Sequence, residues 1–326
     1  MNTPPVCTST DFTSRYEVLA DLESVVAGFI EKHQLKRDLW FPSELLPAGE
    51  TDRDNAALEE LRERARSLPD AVRVAITINT LTEEGLPHFH RLIAQNLGDR
   101  TFWSQWNNLW TAEEDRHGNI LRDYVRDSRL LNFKALEGMQ FDYLRSGFNP
   151  DWGMDPYKIF IYTSCQEKAT QISHQNTGKL AAECEPVLHG ITKKIAQDES
   201  RHYAFYLNVF KEILGRDPNN ALASASAIMP AIDMPGISIT NFNDYADVVR
   251  RAGIYGPRDY KEIIEHLISI WSIDVMTTLN EIGRKAQEKI MGIPGRLERI
   301  AQYVETRSKA KSFSFEVLYG RILEMA

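Results

Sequence analysis

Two segments of this chain repeat one pattern, acid-Glu-x-Arg-His: Glu113-Glu114-Asp115-Arg116-His117 and Asp198-Glu199-Ser200-Arg201-His202. On an α-helix, residues three apart share a face. Each segment, if helical, therefore presents a carboxylate and an imidazole together. Of the eight histidines, only His117 and His202 have a glutamate three residues earlier. The repeat demands two long helices packed side by side with these faces turned inward.

The surrounding sequence supplies such helices. Trp103, Trp106 and Trp110 form one apolar stripe leading into Glu114, and the spacing predicts a helix over 101–126. The stripe is read as core packing. Further long helices are expected near 71–97, 157–182 and 186–214. Gly85 and Pro87 predict a kink near Glu83, and Pro186 sits in a first turn. Helix is also expected over 13–34, 54–68, 129–146, 257–290 and 294–308, and Gly215 and Pro218 close the helix at 186–214. SFSFEVLYG near the end alternates as a short strand or hairpin would. Residues 1–12 read as a disordered tail and 13–326 as one domain.

The other two long helices each carry a carboxylate in an apolar setting, Glu83 and Glu167. A buried carboxylate is costly unless it is paired or bound to metal. Two Glu-x-x-His helices and two helices each giving one Glu are the arrangement of ferritin-like dinuclear proteins. The expected fold is thus all-α, a ferritin-like four-helix bundle with a di-iron centre, extended by additional helices.

Composition narrows the function. A net charge of −8 argues against general nucleic-acid binding. Only three cysteines occur, Cys7, Cys165 and Cys184, with no ligand partner at metal-binding spacing. They imply no disulfide framework and a reducing, cytoplasmic setting. No apolar run is long enough to predict a membrane span.

The motifs TEEGLP, W-x-x-W-x-x-x-W-T-A-E-E-D-R-H-G, FIYTS-x-QE-x-AT-x-ISH-x-N and DE-x-RH closely resemble those of the soluble acyl-acyl-carrier-protein desaturases. The resemblance runs from about Trp40 to the C-terminal basic segment. It implies a homodimer with two irons, as Fe2+ or Fe3+, held by Glu83, Glu114, His117, Glu167, Glu199 and His202. Glu114 and Glu199 would bridge, with Glu83 and Glu167 terminal. It also implies an oxygen- and electron-dependent removal of two hydrogens from an acyl chain, leaving a cis double bond. Thr170 matches a threonine beside the oxygen site. Asp198 matches an acid that orients His117, and Trp40 a surface-near tryptophan on an electron route with that pair. His174 is read as a core histidine.

By the same resemblance the acyl tunnel ends near Leu92, Gln95, Asn96, Ile159 and Phe160. Ile159 stands where plant stearoyl enzymes have a glycine, which implies a shorter chain or a shifted double bond. The implied partners are acyl carrier protein and a ferredoxin-like electron donor. Residues 284–311 carry eight basic residues against three acidic ones, which suits an acidic carrier. The competing readings are hydroxylation or specialised-pathway desaturation on the same scaffold, and a non-catalytic iron-binding or interaction homologue.

Overall fold

The computed structural model describes residues 12–47, 51–98 and 100–326. Cys7 and all but the last residue of the expected tail lie outside the described residues. Among the described residues, fourteen α-helices and one two-stranded hairpin form an all-α, ferritin-like architecture. The helices are α1 (Arg15–Asp21), α2 (Glu23–Lys36), α3 (Asp52–Arg66), α4 (Asp70–Glu83), α5 (Leu86–Leu97), α6 (Phe102–Ser128) and α7 (Phe133–Ser146). They continue with α8 (Tyr157–Ala181), α9 (Pro186–Arg216), α10 (Pro218–Ile228), α11 (Phe242–Arg251), α12 (Pro257–Ile270), α13 (Glu281–Met291) and α14 (Ile293–Thr306). The bundle is α4 with its continuation α5, then α6, α8 and α9, with α8 and α9 packed along much of their length.

Local chemistry explains the boundaries. Thr101 caps α6 through the Trp103 amide, and Pro186 opens α9 behind a Glu185 cap. The expected kink near Glu83 is a full break: α4 ends at Glu83 and α5 begins at Leu86. Gly85 occupies it because an added Cβ would lie 2.8 Å from the Tyr143 ring. Where α8 meets α9, a Cβ at Gly178 would lie within 3.4 Å of Thr192 Cβ and would collide with its hydroxyl, so glycine sets the closeness of this pair.

Four expectations differ in detail. The 13–34 helix divides at Leu22. The 257–290 helix is interrupted after Ile270, where Ser272 adopts φ 55°, and α13 restarts under an Asn280 cap. Pro218 does end α9's run, yet it also starts α10, because proline suits a first helical turn and Asp217 caps it by accepting from the Asn220 amide. The helix expected from 129 starts only at Phe133, because Arg129 takes up φ 56°. The C-terminal alternation forms the hairpin, β1 (Lys311–Ser314) antiparallel to β2 (Ile322–Met325).

Apolar side chains collect in two clusters. Along α6, one holds Trp103, Trp106 and Trp110, and the other Ile120, Leu121 and Tyr124. Along α9, the division falls between Ile195 and Tyr203. Both acid-Glu-x-Arg-His segments occupy the seam between the clusters.

Candidate metal centre

Glu83 is the last residue of α4, Glu114 and His117 come from α6, Glu167 from α8, and Glu199 and His202 from α9. All six are buried. They form two groups whose donor atoms lie within 4.8 Å of one another: Glu83, Glu114, His117 and Glu199, and Glu114, Glu167, Glu199 and His202. Glu114 and Glu199 belong to both groups, as two carboxylates bridging a pair of ions must.

The inward donor atoms want a partner. His117 Nδ1, His202 Nδ1, Glu114 Oε1, Glu167 Oε2 and Glu199 Oε2 are all buried without a hydrogen bond. His202 Nδ1 lies 2.8 Å from Glu114 Oε1, and His117 Nδ1 3.3 Å from Glu114 Oε2. At that range without hydrogen-bond geometry, the atoms converge on a point rather than on each other. Burial, with the charges of Glu114 and Glu167, pushes Glu199 well above the usual carboxylate range, and burial raises Glu167. Four carboxylates cannot all stay ionised in so dry a layer without cations. Carboxylate oxygens and imidazole nitrogens suit iron or manganese, so the donor set fits the implied metal pair.

The outward nitrogens are fixed in a crossed pattern. His117, on α6, sets Nε2 3.2 Å from Asp198 Oδ2 on α9; His202, on α9, sets Nε2 2.9 Å from Glu113 Oε2 on α6. Each acid orients the histidine of the other helix, the usual way a metal-binding imidazole is held. Asp198 also accepts from Trp40 Nε1 at 2.8 Å, from Arg116 at 3.3 Å and from Arg201. Burial raises its pKa, but the His117 hydrogen bond and nearby positive charges outweigh that and bring it down to about 2. Glu113 is held by His33 Nε2 at 2.8 Å and Arg37 at 3.4 Å, and its carboxyl lies far below the usual range despite burial.

Several expected positions behave differently here. Trp40 is itself buried. Its ring stacks on His117 at 6.1 Å, and Arg116 covers its face. Its neighbours Leu39 and Phe41 are the exposed ones. The Thr170 hydroxyl bonds to its own helix backbone, 3.1 Å from the Gln166 and Glu167 carbonyls. His174 is a buried, hydrogen-bonded core histidine, and its partner is Glu83: its Nε2 lies 3.0 Å from Glu83 Oε1. Trp103 and Trp106 pack as expected, the latter stacked 3.5 Å from Phe205. Trp110, by contrast, donates to Glu167 Oε1 at 3.1 Å. Glu113 and His33 carried no assignment. Glu113's place as the acid of its motif, matching Asp198, was the available signal.

Two adjoining cavities lie against the centre. The outer chamber, about 640 Å³, is lined by Ile78, Asn79, Ser173, Tyr255, Arg250 and Arg296 among others. A small inner chamber of about 20 Å³ touches Glu83, Glu114, Trp110 and Phe89. Thr82, Thr170 and Pro235 line both. None of the five residues expected at the tunnel's end lines either chamber. Leu92, Asn96, Ile159 and Phe160 are packed into the interior, and Gln95 is exposed.

A helical bundle with two overlapping carboxylate–histidine groups at the end of a cavity defines a dinuclear oxidase-type scaffold. The chain belongs to the fatty acid desaturase family, whose profile matches residues 14–319. Among curated relatives it is 34% identical over 315 residues to the chloroplastic stearoyl-acyl-carrier-protein 9-desaturase of Gossypium hirsutum, covering 91% of this chain and 79% of that protein. It is 33% identical over 299 residues to chloroplastic stearoyl-acyl-carrier-protein 9-desaturase 5 of Arabidopsis thaliana, covering 86% and 76%. The X-ray structure of DesA2 from Mycobacterium tuberculosis H37Rv, assigned as an acyl-ACP desaturase, shares the fold. Its TM-score is 0.58 at 23% identity, covering 83% of this chain and 99% of that one.

Proposed function

We propose that this protein is an oxygen-dependent desaturase that puts a cis double bond into a fatty acyl chain carried on acyl carrier protein, using two irons held by the six donors. The observation that carries the reading is the pair of four-donor groups sharing Glu114 and Glu199, beside adjoining cavities of about 20 and 640 Å³. Iron supplies the oxygen activation that side chains cannot. The reaction balances as R–CH2–CH2–R′ + O2 + 2 e− + 2 H+ → R–CH=CH–R′ + 2 H2O. A ferredoxin-like protein is the electron source in this reading.

The chain's own residues have separate tasks. Glu83, Glu114, His117, Glu167, Glu199 and His202 bind the metals. Asp198 and Glu113 hold the imidazoles. The Trp40–Asp198–His117 contacts link the layer beneath exposed Leu39 and Phe41 to the centre and suit electron delivery. The buried walls exclude water from the reacting carbons. No helix among the described residues is long and apolar enough to cross a membrane, in keeping with a substrate delivered on a carrier.

The basic segment gains strength from its pairing. Arg258 binds Glu298 at 3.0 Å and Glu305 at 2.7 Å. Arg284, Lys289, Arg296 and Arg299 are exposed, with no ion-pair partner among the described residues. Arg296, with Ile300 and Val304, lines the outer chamber. Acidic carrier docks here in this reading. Arg296→Glu is expected to raise KM for carrier-bound substrate several-fold, more than it lowers kcat. The effect should shrink as salt screens the contact.

The reading is tested by loading the protein anaerobically with iron and counting the metal. Oxygen, a ferredoxin reducing system and acyl-carrier substrates are then added, and the products weighed. Two irons per chain and a loss of two hydrogens are expected. A gain of one oxygen would make the protein a hydroxylase. Iron without turnover on any carrier-bound chain would favour a binding homologue.

A further inference from the structure

The cavity is unevenly divided about the metal-binding layer. The outer chamber holds about 640 Å³ and the inner about 20 Å³; the inner has room for roughly one water-sized group. Along α8 the walls descend from Ser173 through Thr170 to Gln166 and stop. Beyond, Tyr162, Phe160 and Ile159 are closed into the apolar core. Along α5 the wall stops at Phe89, whose ring lies 5.1 Å from Phe148. The Phe160 ring lies 5.4 Å from Trp103. From Gln166 to Ile159 is roughly 10 Å of helix, and at its far end Ile159, Phe160 and Tyr162 have almost no accessible surface.

We infer that the channel is blind at the metal layer, with Phe89 as its stop, so that the carbons losing hydrogen lie at the methyl end of the acyl chain. The inference rests on the desaturase reading and names its substrate position. Two adjacent carbons each lose one hydrogen as the C=C bond forms. Oxygen takes two electrons from those C–H bonds and two from the donor, and leaves as two waters. The wide outer chamber takes up the slack of longer chains. The double bond therefore keeps a constant distance from the methyl end as chain length changes, not from the thioester.

Two measurements decide it. Products from a series of acyl-carrier substrates of increasing length have their double bonds located by mass spectrometry. A position fixed within the last few carbons is expected. A position fixed from the thioester, with a tail that lengthens beyond it, overturns the inference but leaves the desaturase reading intact. Independently, iron-free protein is titrated with the same series. Affinity should tighten up to about fourfold per added methylene until the methyl group meets Phe89, then level off. In Phe89→Ala the levelling should come at a longer chain, and in Phe89→Leu, the milder change, it should move less. If both variants level off where the parent does, Phe89 is not the stop. Should no chain turn over, the desaturase reading fails, while the titration still decides whether the channel is blind.

Discussion

Glu199→Ala is expected to abolish iron binding at both positions, taking the count from two irons per chain to none and product formation below detection. The reason is membership: Glu199 donates to both four-donor groups, so its loss leaves each with three donors. Glu83→Ala provides the contrast. Glu83 belongs to one group only, and this variant should keep one iron while losing turnover. Stability separates a metal role from a structural one. In the iron-free protein, Glu199 is a buried carboxyl raised well above its usual pKa by burial and by Glu114 and Glu167. The fold must hold this carboxyl protonated, a cost at neutral pH that Glu199→Gln removes, so the thermal midpoint of the iron-free form should be unchanged or higher. Iron counting by emission spectroscopy and thermal unfolding of both forms check this. Two tightly bound irons in Glu199→Ala would sink the assignment.

The second large effect concerns the acids behind the histidines. Asp198→Asn and Glu113→Gln keep shape but remove charge, and each should weaken iron binding by about 10–100-fold, measured by chelator competition. They act on different histidines, His117 and His202, but the two donor groups share Glu114 and Glu199, so the double variant should depart from the sum in free energy. Their kinetics should part company. Asp198 also holds Trp40, so Asp198→Asn should additionally slow reduction of the iron-loaded protein by the donor. Glu113→Gln, with enough iron supplied, should not. Trp40→Phe should slow reduction with the iron count intact; an unchanged reduction rate would remove Trp40 from the electron route. Asp198 lies near 2 in the fold, against about 3.9 unperturbed. Its contribution to stability is present above the unperturbed value and fades as pH falls toward 2.

The six donors were legible in the sequence because a glutamate and a histidine three residues apart need only a helix to meet. Glu83 and Glu167 were legible because a charge inside an apolar helix face has to be explained. Roles set by distant partners were harder to read. Glu113 stands beside Glu114 in the motif, yet what it does depends on His202, 89 residues on, and on His33 from α2. His174 and Trp110 gain their contacts with Glu83 and Glu167 only when four helices close. The resemblance put the channel's end at Ile159 and Leu92, whereas the stop proposed above, Phe89, depends on ring packing that the motifs do not carry. In the fold, Pro218 marked a boundary in either direction; only the Asp217 cap decided that a helix begins there.

The crossed bracing of α6 and α9 also sets an order of events in synthesis. A growing chain that has emerged through α8 already holds Glu83, Glu114, His117 and Glu167. Neither four-donor group is complete without Glu199, and the ring of His117 has no Asp198 to set it. When α9 arrives, it brings the second shared carboxylate, the second imidazole and the brace for the first, all within five residues. In the di-iron reading proposed above, metal capture then follows docking of the last bundle helix, and a half-made chain offers loose iron no finished site.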